Sequence, residues 1–185
     1  MLNIEFKIQP ILETERLILR QQTISDAAAL FALRTNPQVM RYIDRNSPKD
    51  IRESEAAIQA VNAGLSNGSS LIWAITLKTS PNKMVGNVGF WRTDLFNHRA
   101  ELGYMLLPDH WRNGILSEAL ASVLNFGFKE MGLHSICANI NPDNNASRQL
   151  LIKHSFVKEA YFRQDYYFNG KFLDSEIYGL LNNTV

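Results

Sequence analysis

Apolar positions recur along the chain with two different periods, and the switches between them mark its elements. Leu12 to Arg20 alternates, with Leu17 and Leu19 on one side and Arg16, Ile18 and Arg20 on the other, which predicts an opening strand. A helix is predicted over Asp26 to Arg34, with Ser25 as N-cap, an apolar side of Ala28, Leu30, Phe31 and Leu33, and Asn36-Pro37 as its stop. Val39 to Asp44 leads into a loop. Ser47 and Pro48 then suit the N-cap and first position of a second helix, with Asp50 at the capping-box position. That helix should run to about Leu65 and end at Asn67-Gly68. Leu71 to Leu77 and Met84 to Trp91 read as paired strands around a turn from Thr79 to Lys83, and Gly86 and Gly89 imply a bulge or a close backbone approach.

The stretch from Glu101 to Gly132 joins a strand to the longest helix. Leu102, Tyr104 and Leu106 fall on one face of the strand, Gly103, Met105 and Leu107 on the other, and Pro108 ends it. Helical spacing begins at Leu116 and continues through Leu120, Val123, Leu124, Phe128 and Met131, with Lys129 and Gly132 as the stop. His134 to Ile140 is a short strand, and Asn145 to His154 a short helix with Leu150 and Leu151 inward. Tyr161 to Phe168 and Lys171 to Leu180 form a hairpin across Asn169-Gly170.

Composition narrows the function classes. The 185 residues fit one domain, and a net charge of +1 without a basic run offers no footprint for nucleic acid. The first ten residues lack the apolar core of a secretory signal, and the longest apolar run, Leu71 to Ile75, is too short for a bilayer, so a cytoplasmic protein with no membrane role is expected. One cysteine, Cys137, excludes an internal disulfide and reads as a small packing residue. His98, His110, His134 and His154 lack metal-ligand spacing, so no metal is expected.

Between strand and long helix lies Trp111-Arg112-Asn113-Gly114-Ile115-Leu116. A helix start presents free N–H groups and a positive dipole end, which suit phosphate oxygens, while Arg112 adds charge. Gly114 by itself serves a tight turn equally well.

The stretch ELGYMLLPDHWRNGILSEAL resembles the acetyl-CoA-binding core of the GNAT superfamily of N-acetyltransferases, in particular the ribosomal-protein-alanine acetyltransferase-like branch. That family carries a Gln/Arg-x-x-Gly-x-Gly/Ala turn after its fourth strand. The matching positions are Trp111, Gly114 and Leu116, so the central glycine is kept and the leucine departs. TERLILR is typical of the same branch. NPDNNASRQLLIKHSF is similar to the family's second signature, matching at Asn144, Ser147, Lys153 and Phe156, with Ser155 in place of a glycine. The likeness spans Leu12 to Leu181. It implies one α/β (α+β) domain over residues 1–185, with a twisted, mostly antiparallel mixed sheet and helices on both faces. It also implies acetyl-CoA as cosubstrate, bound by Met105, Leu106, Leu107, Arg112, Asn113, Gly114, Ile115, Leu116, Ser117 and Asn144. Pantetheine would take the free strand backbone near Met105 and Leu107, where the strand splays from a parallel neighbour.

Acetyl transfer to an amine needs a proton acceptor for the amine, an N–H for the oxyanion and an acid for the departing thiolate. Glu101, at the start of the splayed strand, is the expected base, and its plain alternative is a strand-end charge paired with Arg92 or Arg99. Leu151 occupies the place where many relatives carry an acidic tyrosine, and Ser147 one turn earlier is the expected substitute. Tyr42, Trp73, Trp91, Tyr166 and Tyr167 are the large groups from which core and acceptor channel are drawn, and the two early helices form one wall of that channel. The reading is an N-acetyltransferase acting on a primary amine, with a protein N-terminal α-amine first and a small-molecule amine second. A homodimer is compatible with it, and a CoA-binding regulatory module without turnover is the rival class.

Overall fold

The computed structural model describes Leu2 and residues 8–66 and 68–182. The elements in order are β1 (Leu12–Glu13), β2 (Leu17–Gln21), α1 (Ala27–Thr35), α2 (Pro37–Met40), α3 (Ile51–Ser66), β3 (Leu71–Leu77) and β4 (Ser80–Asp94). They continue with β5 (Arg99–Leu106), α4 (Ile115–Lys129), β6 (Ser135–Ile140), α5 (Asn145–Lys153), β7 (Val157–Phe168) and β8 (Lys171–Leu181). The strands form one eight-stranded sheet ordered β1-β2-β3-β4-β5-β6-β8-β7. β5 and β6 are parallel, and the other neighbours pair antiparallel.

Each face of the sheet buries its own core, as alternation along β5 requires. Leu102, Tyr104 and Leu106 pack on the α4–α5 side with Leu120, Val123 and Leu151. Met105 and Leu107 pack on the other side, where α1 and α3 supply Leu30, Leu33 and Ile58. Trp73 is fully buried, and its indole N–H donates to the Pro10 carbonyl at 2.7 Å, which removes the cost of an unpaired donor. The fold is therefore the expected mixed α/β sheet with helices on both faces.

Several boundaries differ from the sequence reading, most of them because of a particular hydrogen bond. The opening strand is broken at Thr14–Arg16, and β1 folds back on β2 with Leu12 opposite Leu19. Glu118, at the start of α4, causes the break by accepting the Thr14 hydroxyl at 2.5 Å and the Arg16 N–H at 2.9 Å. Thr23 rather than Ser25 begins the first helical segment, because Asp26 turns back to accept the Thr23 N–H at 2.8 Å. Arg20 grips that carboxylate with both terminal nitrogens, at 2.7 and 2.8 Å. Asn36 ends α1 as expected, but its side chain also accepts the N–H groups of Gln38 and Val39 and so starts α2.

α3 begins at Ile51, because Asp50 accepts the Arg52 N–H at 2.9 Å and so sets the start beyond Ser47 and Pro48. At its far end Gly68 has φ 68, and its N–H reaches the Leu65 carbonyl at 3.3 Å, while Asn67 lies outside the described residues. The β3–β4 turn is the tight pair Lys78-Thr79, with Leu77 opposite Ser80. The expected loop through Pro81 instead joins β4, and register shifts beside Thr76 accommodate the residue that cannot donate. Asn169 and Gly170, at φ 46 and 81, make the expected hairpin turn.

Candidate active site

The site begins where two strands part. β5 and β6 pair at Arg99–Ser135, Ala100–Ile136 and Glu101–Cys137, and there the ladder stops. Beyond it β5 continues along β4 while β6 continues along β8, which opens a wedge in the sheet. This is the expected splay, but its free backbone groups differ from those expected at Met105 and Leu107. The Leu107 N–H donates to the Val85 carbonyl of β4 at 2.9 Å. Alternation places the Met105 peptide groups on that same side. Tyr104 and the N–H of Leu106 therefore face the wedge, while the Leu106 carbonyl accepts the Trp111 indole N–H at 2.7 Å. The correction moves the available groups by one residue, which in a strand reverses their direction.

At the far end of β5 the chain turns into α4. Arg112 has φ 60, and Gly114, the helix N-cap, has φ 74 and ψ 0, a left-handed conformation that a glycine adopts without steric cost. No side chain caps this helix. The first-turn N–H groups of Ile115, Leu116 and Ser117 lie at the positive end of its dipole. The Ser117 hydroxyl is within 2.9 Å of Nε2 of His154, the C-cap of α5, so Ser117 offers the turn its backbone. Burial, together with the Lys153 charge, lowers the His154 pKa and favours the neutral ring.

Arg16, which sequence reasoning placed only on a strand face, reaches the same turn. Its Nη1 donates to the Asn113 carbonyl at 2.9 Å, and a Cβ on Gly114 would lie 3.3 Å from Nη2. Glu118 aims it, accepting from Arg16 Nε at 2.6 Å. Burial alone would raise the Glu118 pKa, but the bonds from Thr14 and Arg16 outweigh it and hold the carboxyl below its usual range.

The wedge opens into a cavity of ≈ 550 Å³, lined in part by Glu101, Tyr104, Asn144, Ser147, Trp91 and Tyr166. Leu30 and Arg34 of α1 and Ala57 and Val61 of α3 form one wall, as anticipated for the two early helices. The Glu101 side chain is 20% exposed and lies 3.7 Å from the guanidinium of Arg92, itself 70% exposed. At that length and exposure the pair is weak, and it leaves Glu101 on the cavity wall. The structure thus unites the two expected catalytic residues in one cavity. Ser147 is buried, and its N–H donates to Asn144 Oδ1 at 3.1 Å, so Asn144 caps α5 while lining the cavity.

Tyr104, read from sequence only as a strand-face residue beside Leu102 and Leu106, meets the Ser147 hydroxyl at 2.5 Å. Burial pushes its phenol up to about 12, against the Ser147 hydrogen bond. A tyrosine on the wedge-facing strand was the available signal, but only the fold shows that α5 lies opposite. Leu151 is fully buried and nonpolar. Trp91, Tyr42 and Tyr166 line the cavity, whereas Trp73 is core and Tyr167 is exposed against Phe172. Tyr166 donates to Asp44, and burial followed by that bond raises its pKa.

Cys137 is half-buried beside Arg99 rather than enclosed in apolar packing, because it lies where the β5–β6 ladder ends. Burial raises its pKa despite Arg99, favouring the thiol. Among the described residues no group of three or more His, Cys, Asp or Glu could hold a metal ion, and no helix is long and apolar enough to cross a membrane.

A parted parallel pair, an uncapped helix start and a cavity lined by a carboxylate and two hydroxyls form a candidate acyl-transfer site. The family model of the acetyltransferase (GNAT) domain matches residues 16–157, and the chain belongs to that family, the acetyl-CoA-dependent N-acetyltransferases. It is 39% identical over 172 residues to the uncharacterized N-acetyltransferase YoaA of Bacillus subtilis (strain 168), covering 93% of this chain and 97% of that protein. Its fold is similar to the GNAT acetyltransferase from Bacillus anthracis, with TM-score 0.81 and 25% identity over 93% of this chain and 98% of that one. It is also similar to RimL, a ribosomal L7/L12 alpha-N-protein acetyltransferase in complex with coenzyme A. There the TM-score is 0.86 and identity 21%, covering 95% of this chain and 100% of that one.

Proposed function

We propose that this N-acetyltransferase moves the acetyl group of acetyl-CoA to a primary amine, and that its acceptor is the N-terminal α-amine of a protein. The observation that carries the reading is the shared cavity in which Glu101 and the Tyr104–Ser147 pair line the wedge between β5 and β6. The pyrophosphate is held by the N–H groups of Ile115, Leu116 and Ser117, with Arg16 supplying charge. The pantetheine arm bonds the wedge-facing groups of Tyr104 and Leu106 as an added strand would.

The reaction then follows from the side chains. Glu101 takes the proton of the ammonium group, directly or through one water, because only the free amine has a lone pair. The amine nitrogen forms its bond to the thioester carbonyl carbon and gives its second proton to water, the C–S bond breaks, and the sulfur receives a proton from the Ser147 hydroxyl. Tyr104 orients that hydroxyl, and water restores the proton that Ser147 gives up. The protein acceptor is supported by the similarity to RimL, whose substrate is a protein α-amine.

The test is free-thiol release from acetyl-CoA with matched peptides bearing a free or a blocked N-terminus and with a panel of small amines. Release with free peptides, and mass spectra placing the acetyl group on the α-nitrogen, is the expected result. Release with small amines alone would transfer the assignment to that class. Cofactor binding without release in any mixture would leave a binding module and sink the transfer reading.

A further inference from the structure

The acceptor end of the cavity carries more positive charge than the transfer chemistry uses. Arg34 from α1 and Arg45 from the loop before α3 both line the cavity. The Arg45 guanidinium lies over the Trp91 ring, 4.6 Å from its centroid, and that of Arg92 lies 4.4 Å from the same centroid. Burial lowers the Arg45 pKa, the charges of Arg34 and Arg92 lower it further, and Glu101 acts the other way. Arg34 and Arg92 therefore repel Arg45, and two of the three guanidinium groups lie over one indole.

The lining carboxylates do not resolve that repulsion. Asp44 accepts the Tyr166 hydroxyl, and Glu101 lies nearest Arg92. Among the described residues neither Arg34 nor Arg45 has an ion pair or hydrogen bond to a carboxylate. The cofactor's phosphates are too far away to serve. Glu101 lies five residues before Leu106 along β5, roughly 16 Å at the rise of a strand, and the α4 turn lies beyond that. Stacking on Trp91 holds the Arg45 and Arg92 guanidinium groups near the acceptor end, where an anion would complete them.

We propose that Arg34 and Arg45, with Arg92 at the rim, form an anion subsite that selects acceptors bearing a carboxylate close to the reacting amine. The chemistry suits an Asp or Glu next to a peptide N-terminus, and equally the carboxylate of a free amino acid. It disfavours polyamines, whose added cations meet the same field. The subsite deepens the acetyl-transfer reading and rests on it for the position of the amine.

Binding tests the subsite without requiring turnover. The protein saturated with coenzyme A is titrated calorimetrically with N-acetylated peptides identical except for Glu, Gln or Lys at the second position. N-acetylglutamate and N-acetylglutamine form a separate arm that distinguishes an amino acid from a peptide. In at least one arm the glutamate ligand should bind about tenfold or more tightly than its glutamine counterpart, with the preference shrinking as salt is raised. Arg45→Gln should remove most of that preference, and Arg45→Glu should move it toward the Lys peptide. Equal binding of the Glu and Gln ligands in both arms overturns the subsite, as does a preference that survives Arg34→Gln combined with Arg45→Gln. Thiol release with the unacetylated ligands separates the two readings. Turnover without charge preference rejects the anion subsite alone, and charge preference without turnover rejects acetyl transfer alone.

Discussion

The phenol of Tyr104 and the hydroxyl of Ser147 meet at 2.5 Å across the open wedge of the sheet. Tyr104 belongs to the strand that borders the wedge, and Ser147 to the first turn of the helix opposite, where Asn144 holds its backbone. The bond gives the serine hydroxyl one direction in a mostly buried place. In the proposed mechanism, a thiolate leaving beside it would meet a preoriented donor.

Ser147→Ala should lower kcat by about tenfold or more while coenzyme A affinity changes by less than a few-fold, since the hydroxyl acts on the leaving group. Tyr104→Phe should lower kcat less, because Ser147 keeps its hydroxyl and loses only its orientation. With the phenol pKa at about 12, both groups stay protonated through neutrality, so the pair adds no step to the wild-type profile there. Unchanged kcat in both variants would make the pair structural.

Glu101→Gln keeps shape and hydrogen-bonding reach but cannot accept the proton. Turnover with a verified amine should fall by about 10²-fold near neutral pH. The deficit should narrow toward the acceptor's own pKa, about 8 for an α-amine, as more amine arrives deprotonated. A pH–rate profile that superimposes on the wild type would leave the proton to water alone.

Gly114→Glu places a side chain in a left-handed position and a negative charge at the uncapped start of α4. Calorimetric binding of acetyl-CoA should weaken by about 10²-fold or be lost, with circular dichroism showing a folded chain. Undiminished affinity would place the phosphates elsewhere.

Asp26 joins Arg20 in a bidentate pair, with side chains 1% and 20% exposed respectively. Burial works to raise the Asp26 pKa, but the bonds from Arg20 and Thr23 overcome it, so the folded value lies below the unfolded value near ~3.9. A carboxylate depressed in this way stabilises the fold fully above its unfolded pKa and loses that contribution as pH falls through the folded one. Asp26→Asn should cost about 3 kcal/mol in urea unfolding at pH 7, and the gap to wild type should shrink below about pH 4. A constant gap between pH 7 and pH 3 would contradict this.

Ser155 stands where the related signature has a glycine, and its φ is 65. A β-carbon in that conformation is strained by about 1–2 kcal/mol, partly offset by the greater unfolded-state freedom of glycine. Ser155→Gly should therefore stabilise the protein by up to about 1 kcal/mol, read as a shift in urea midpoint at constant slope. A lower midpoint would show that the serine side chain contributes more than its backbone costs.

The features legible in the chain were largely those that neighbouring residues decide among themselves. Alternation placed Leu102 and Leu106 on one side of β5 and Met105 on the other. Helical spacing marked α4, Gly114 marked its left-handed entry, and Asn169-Gly170 marked the final turn. These are short-range preferences, so a few consecutive side chains suffice to express them. The candidate residues Glu101 and Ser147 were also legible, through resemblance to a family motif at each position.

Tertiary structure alone decided which of these groups meet. Arg16 reaches the Asn113 carbonyl because Glu118 holds it there, across a sequence separation of 97 residues. The pairing of Leu107 with Val85 decides that Tyr104, rather than Met105, turns its backbone toward the wedge. Arg34, Arg45 and Arg92 come from a helix, a loop and a strand, and only tertiary packing brings their charges together, with Arg45 and Arg92 over Trp91. Local sequence sets each residue's conformation and facing. Distances between elements depend on strand register and helix docking, which are settled by the burial of whole faces at once.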